Sequence, residues 1–400
     1  MRILSVTAQK PDSTGSGVYL TELVKELDRL GHKQAVIGGI YECDQVNFPE
    51  NVDFYPAYFR TKELPFAITG MSDEMPYDST RYSDMTDEMT DQFVNTFRGI
   101  IRRVLKEFRP EVIICHHLYF LGSMVRELCP NTRVYGICHG SDLRQVKKNP
   151  WQWEYIKEQI CRFDGIFALH EEQKEQICQF YGCERYKVQV IGTGYNSDIF
   201  YVNEEIKAAK DNGKHRYIFA GKISEKKGVK SLLRALQYIK EPEKTELVLA
   251  GGYSTLEELE ACKRLAEKAS CKVEFLGRLP QKKLAEELNR SDVFVLPSFF
   301  EGLPLVNIEA MACGLRVVCT DLPGIQPWME AKIPENGAIF VTPPRMINED
   351  EPLKEELPAF EKAFANAMEE ALERPVVSRE KIEQVSWRGL AKWLIEKIDK

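Results

Sequence analysis

At 400 residues the chain exceeds what one ordinary hydrophobic core serves, so two domains are expected. Hydrophobic residues at 44% and charged residues at 29% are those of a soluble globular protein, and a net charge of −7 argues against a general nucleic-acid binder. No apolar run approaches the roughly 18–20 residues that span a bilayer. The eleven cysteines are scattered, odd in number and without a CxxC pair, which fits reduced thiols in a cytoplasmic protein.

The first half reads as alternating strands and helices. Residues 1–9, MRILSVTAQ, suit a first strand centred on Ile3–Thr7 better than a signal peptide, because the apolar stretch is too short. An amphipathic helix over Val18–Leu30 ends at Gly31, and a strand follows at Gln34–Ile37. Residues 60–85 contain prolines, a glycine and several aromatics without helical or alternating pattern. Such a long loop either covers a substrate or forms an irregular surface excursion. Phe93, Phe97, Ile100, Ile101, Val104, Leu105 and Phe108 recur at helical spacing within 86–108, stopped by Pro110. Strands are predicted at Val112–Cys115, Val134–Cys138, Gly165–Leu169 and Val188–Ile191, and a polar linker with some helix at Asn203–His215.

A second alternating series begins at Tyr217–Ala220. It continues with a helix at Val229–Ile239, strands at Glu246–Ala250 and Val273–Leu276, and a helix at Lys282–Asn289. Val293–Leu296 reads as a short buried strand ended by Pro297 and Ser298. Strands at Val317–Cys319 and Ala338–Val341 and a helix at Glu380–Ile398 complete the series. Two strings of β–α units imply an α/β protein of two doubly wound, Rossmann-like domains: residues 1–200, and residues 201–379, with the segment 380–400 free to pack back on the first. Ligands of such sheets bind outside the carboxyl ends of the strands, which places the expected site in a cleft that both domains face.

Five groups of residues carry candidate chemistry. In PSFFEGLPLVNIEAMACG, residues 297–314, Glu301 follows a strand and Glu309 lies eight residues later inside a helix. Pro304 suits the first helical position and Gly314 a left-handed cap. The amides of Leu305 and Val306 are then unpaired donors at the positive end of a helix dipole, so the segment is either a seat for a phosphate or an ordinary strand–turn–helix with Glu309 as a solvated helix residue. Lys222 and Lys227, flanking a predicted strand end and helix start, either converge on one phosphate or form a solvated basic turn. Thr14-Gly15-Ser16-Gly17 joins a strand to a helix but has Leu20 where a dinucleotide fingerprint has its third glycine, so its glycines either approach a phosphate or serve the turn alone. His139 follows a strand directly, as do His116 and His117, and each is either a packing residue or a cleft residue. Lys147-Lys148 beside Trp151 and Trp153 is either a solvated helix edge or a peripheral contact with the inner face of a membrane.

Together these residues resemble the retaining glycosyltransferases of family 4, the group 1 glycosyl transferases of GT-B fold. The resemblance rests on E-x7-E at Glu301 and Glu309, on Gly221-Lys222 through Lys227-Gly228, on HGSD at 139–142, on FLGRLP at 275–280 and on Ser386-Trp387. It implies transfer of a sugar from a nucleotide-diphosphate donor, UDP- or GDP-linked, with retained anomeric configuration. Lys222 and Lys227 would neutralise the diphosphate, Glu309 would hold the ribose and Arg278 would lie near the base. Glu301 with the Leu305 and Val306 amides would contact the donor sugar, Gly17 would approach the phosphates and His139 would line the reacting face. The family's PNGVD is replaced by Gly192-Thr193-Gly194-Tyr195-Asn196, its usual arginine by Lys222 and a common glycine by Pro304.

No D-x-D pair occurs, so fixed cations are expected to serve in place of a divalent metal, with no cofactor beyond the donor. The acceptor (a sugar, lipid or small molecule) is expected at the first domain, with His116, His117, Tyr119, Met75 and Tyr77 as candidate contacts. Two other readings share this architecture: a nucleotide-sugar 2-epimerase and a non-catalytic sugar-binding protein.

Overall fold

A computed structural model describes every residue except 73–74, 211–212, 254, 302, 348–350 and 400. Contacts divide the chain into two units, Met1–Thr193 with Trp387–Lys400, and Gly194–Ser386. The first unit carries β1 (Arg2–Val6), β2 (Lys33–Ile40), β3 (Asp53–Tyr58), β4 (Thr69–Gly70), β5 (Thr80–Arg81), β6 (Val112–His116), β7 (Arg133–Ile137), β8 (Gly165–Ala168) and β9 (Val188–Val190). Its main sheet is parallel in the order β3-β2-β1-β6-β7-β8-β9, while β4 and β5 pair separately. The second unit holds β10 (His215–Ala220), β11 (Thr245–Ala250), β12 (Lys272–Gly277), β13 (Val293–Leu296), β14 (Arg316–Thr320) and β15 (Ile339–Val341). These are parallel in the order β12-β11-β10-β13-β14-β15.

Both sheets reverse direction of winding at one pair of strands, β1/β6 in the first unit and β10/β13 in the second. A crevice opens at the carboxyl ends there, and this positions the sites. The central strands are apolar throughout, VIICH in β6 and VFVL in β13, and every residue of both is buried. Strands covered on two faces read as continuous hydrophobic runs rather than alternating ones.

The helix Asp87–Glu107 follows its sequence closely. Thr86 caps it by accepting from the Met89 amide at 3.2 Å, and Asp87 and Glu88 fill the first turn. Its inner stripe, Phe93, Phe97, Ile101 and Val104, is fully buried. The chain end is less regular than predicted. In place of one helix over 380–398 there are two, Arg379–Glu383 and Trp387–Ile398, broken where Ser386 bridges Tyr195. The later helix buries Trp387, Leu390, Ala391, Leu394 and Ile398 against Tyr19, Leu23 and Leu27 of the helix Gly15–Arg29 and against Ile3 and Ile114 of the sheet. Arg388 also reaches Glu26 at 3.3 Å.

The segment 60–85 is no surface excursion. Leu64, Ile68, Met71, Tyr82 and Met85 are buried in the core of the first unit, and Phe66 packs edge-on to Phe59. Residues 73 and 74 within it lie outside the described residues. Trp151 and Trp153 also turn inward, onto Phe120 and Tyr181 respectively, while Lys147 lies over the Phe180 ring. Among the described residues no helix is long and apolar enough to cross a membrane.

Candidate active site

In the second unit the site is assembled by the loops after β10 and β13. Gly228 follows a short turn of helix at Glu225–Lys227 and has φ 65°, where residues with a side chain are strained. A Cβ there would stand 2.0 Å from the Pro297 carbonyl oxygen. The Phe299 amide also donates to the Lys226 carbonyl at 2.8 Å. These contacts lock the two loops together and set Lys227 Nζ 2.6 Å from Glu301 Oε1. Ser298 Oγ donates to the same carboxylate oxygen at 2.7 Å. The Glu301 side chain is 10% exposed and the Lys227 side chain 29%, so the pair stands at the mouth of a crevice rather than in open water. Lys222 is exposed, and so is Arg278, just past the edge strand β12.

The helix after this loop runs over Leu305–Ala312, with Pro304 as the residue before its first turn rather than its first member. Pro304 still begins the helix as expected of a residue without an N–H, and its carbonyl accepts from Asn307 at 3.1 Å. Gly314 closes the helix with φ 75°. The amides of Leu305 and Val306 make no hydrogen bond to another described backbone or side-chain group, as the first amides of a helix must. Glu309 lies on the same helix without an ion-pair partner among the described residues, and burial pushes its carboxyl up from 4.5 to about 7.

That shift carries a stability prediction with a definite sign. A carboxyl whose folded value is raised costs the folded protein nothing below pH 4.5, and the cost grows as pH rises to about 7. Glu309→Gln removes the charge, so above pH 7 the variant should be more stable than the parent by up to about 3 kcal/mol. Thermal melts at pH 8 should show the full gap, and melts at pH 5 only a small part of it. A gap independent of pH would contradict the assignment.

The first unit presents a different chemistry at the ends of β1, β6 and β7. Thr14 caps the helix Gly15–Arg29 by accepting from the Gly17 amide at 3.0 Å. A Cβ on Gly17 would meet the Lys10 carbonyl oxygen at 2.7 Å, so the close approach that requires glycine here is to the chain's own loop. Gly15, in contrast, has open space around it. His116 ends β6 and stacks on His139, with Nδ1 and Nε2 3.2 Å apart and the rings inclined by 11°. His117 has φ 84°, a strained value for a residue with a side chain. It is held there by its amide bonding the Ile137 carbonyl at 3.0 Å and by the Leu118 amide donating to Asp142 at 2.9 Å. Asp142 is fully buried and also accepts from the His139 amide and the Cys138 thiol. Burial and the neighbouring His117 push the His116 imidazole down to about 3. Burial also lowers His139 well below, and His117 below, the ordinary histidine value, so all three are neutral at pH 7.

Tyr19 stands edge-on to His139 and to Trp387, which ties the final helix to this cluster. Tyr119 packs against Tyr82. Of the remaining candidates, Tyr77 lies beneath Lys10 Nζ at 5.4 Å, and Met75 packs over Gly70. Sequence reading missed Ser298 as a partner of Glu301, Asp142 as the anchor of the histidines, and Gln9. Gln9 follows β1 at the winding reversal, and that position was the available signal.

The chain matches two family models over most of its length: glycosyltransferase family 4 over residues 13–199 and glycosyl transferases group 1 over residues 202–350. It is 26% identical over 364 residues to an uncharacterised glycosyltransferase of Methanocaldococcus jannaschii, covering 86% of this chain and 85% of that one. It is 31% identical over 338 residues to D-inositol 3-phosphate glycosyltransferase 2 of Catenulispora acidiphila, covering 78% and 75% of the two chains. Among solved structures, Anabaena HepE in complex with UDP and glucose superimposes with a TM-score of 0.65 at 14% identity, over the whole of both chains.

Proposed function

The chain belongs to glycosyltransferase family 4, the group 1 glycosyl transferases of GT-B fold, and on that premise we propose that it transfers a sugar from a nucleoside-diphosphate donor to an acceptor hydroxyl with retained anomeric configuration. One observation carries this reading: Lys227, Glu301 and Ser298 converge at the winding reversal of the second unit, just ahead of a helix whose first amides are unpaired.

Breaking a sugar–phosphate bond puts negative charge on the departing diphosphate and positive charge on the anomeric carbon. Lys222, Lys227 and the amides of Leu305 and Val306 supply fixed positive charge for the first, the form of catalysis usually worth most. In the free protein Lys227 is paired with Glu301. The arriving phosphate competes for that ammonium, and Glu301 is then released to accept from hydroxyls of the donor sugar. Glu309 holds the ribose, which makes binding favour its ionised form. Nucleotide affinity should therefore rise as pH increases through about 7 and level off above. For Arg278, near the base, for Gly17 and for His139, toward the sugar, we keep the roles that the family resemblance implies.

We further propose that these fixed cations dispense with a divalent metal. UDP is the first nucleotide to test, because HepE was solved with it, and GDP the second. Calorimetry in EDTA should give the same affinity as in magnesium. Binding only in the presence of magnesium or manganese would refute the fixed-cation account. With donor and acceptor, NMR of the first-formed product should show the donor's anomeric configuration, and an inverted product would refute retention.

A further inference from the structure

In the first unit, the carboxyl ends of β1 and β6 close over a small cavity lined by Gln9, Met71, Tyr82, His116, His117 and Tyr119. Its polar residues are deeply buried: Gln9 is 2% exposed, Tyr119 2%, His116 4% and His117 5%. Yet Gln9 Nε2, His116 Nε2, His117 Nε2 and the Tyr119 hydroxyl have no hydrogen-bond partner among the described residues. A buried polar group without a partner is costly and rare. Four on the wall of one water-sized cavity point to a single polar group that enters it.

The wall also states the chemistry of that group. Ser16 Oγ donates to Gln9 Oε1 at 3.2 Å, which fixes the amide and leaves Nε2 as a donor. The Ser141 hydroxyl at 3.5 Å and the Asp142 carboxylate at 3.8 Å both face His117 Nδ1, and the carboxylate's charge favours the tautomer with its proton on that nitrogen, which leaves Nε2 as an acceptor. The Tyr119 hydroxyl can do either. A donor, an acceptor and two groups that can do either, the Tyr119 hydroxyl and His116 Nε2, together match an alcohol, which both gives and accepts. A phosphate or carboxylate only accepts. It would face the His117 lone pair and meet no ammonium or guanidinium on this wall.

We propose that this cavity receives a neutral hydroxyl of the acceptor, with Gln9 donating to it and His117 accepting from it. The proposal rests on the transferase reading and narrows it: the end of the acceptor that enters here is an unphosphorylated polyol or sugar.

The test is calorimetry on protein saturated with UDP or GDP, whichever binds, titrated with free hexoses and cyclic polyols and with their monophosphates. Neutral members should bind. Gln9→Leu should weaken them at least tenfold and Tyr119→Phe several-fold. The unliganded Tyr119→Phe protein should melt no lower than the parent, because an unpaired buried hydroxyl has gone. A merely structural tyrosine would move both readings downward together. Binding of the monophosphates alone, of no panel member, or of neutral members equally by parent and both variants would overturn the proposal. So would a crystal structure at saturating polyol with an ordered water only in the cavity. Failure of both nucleotides to bind would instead count against the transferase reading, and the panel would then be read on the free protein.

Discussion

Lys227→Ala should lower sugar transfer by about 100- to 1000-fold and weaken nucleoside-diphosphate binding by at least about tenfold. Glu301→Gln should lower transfer comparably yet bind the same nucleotide at least as tightly as the parent. The opposite signs follow from one contact. In the free protein the Lys227 ammonium is held by the Glu301 carboxylate at 2.6 Å, and Ser298 holds that carboxylate from the other side. On the proposed reading a donor phosphate draws the ammonium away, so neutralising the carboxylate removes a competitor for the nucleotide. On the proposed reading transfer suffers in both variants, one losing a charge assigned to the leaving group and the other a group assigned to the sugar. Calorimetry with the bare nucleotide and initial rates of transfer read the two effects separately. A parallel loss of nucleotide affinity in both variants would sink this division of labour.

Gly228→Ala should cost at least about 3 kcal/mol of stability and most of the activity. Two independent penalties add at this position. The backbone has φ 65°, which costs a residue with a Cβ about 1–2 kcal/mol. The added Cβ would also sit 2.0 Å from the Pro297 carbonyl oxygen, which is backbone and cannot rotate aside. The loop must lift off β13, and Lys227, its neighbour, moves with it. Gly252→Ala is the control: it has nothing within 4 Å and no left-handed φ, and should change neither melting temperature nor rate appreciably. Equal behaviour of the two variants would show that the Gly228–Pro297 contact does not hold the site together.

Much of this architecture was legible in the residues because it is written locally. The buried strands announce themselves as apolar runs, the 87–107 helix by its stripe of Phe93, Phe97, Ile101 and Val104. The helix ahead of Glu309 is marked by the proline at its start and the glycine at its end. What escaped reading depends on partners distant in sequence. Edge strand β3 is half-buried and contains Pro56. The helix Phe120–Leu128 is buried nearly all round and shows no polar face. Residues 60–85 gain their order only from the core they join. At the site, single residues such as Glu301 and His139 stood out by motif. The meeting of Lys227 with Glu301 across 74 positions did not, nor did the unpaired amide of Gln9, because both are products of loop packing.

The division of the chain into Met1–Thr193 with Trp387–Lys400, around Gly194–Ser386, has a consequence for biosynthesis. On the ribosome the first sheet emerges long before the helix that covers Tyr19, Leu23 and Leu27. The whole of the inserted unit must be translated in between, and it has every one of its own strands before that helix appears. The nascent first unit therefore waits with an apolar face bare, a surface for holding chaperones, while the unit encoded in the middle of the message is free to finish folding first.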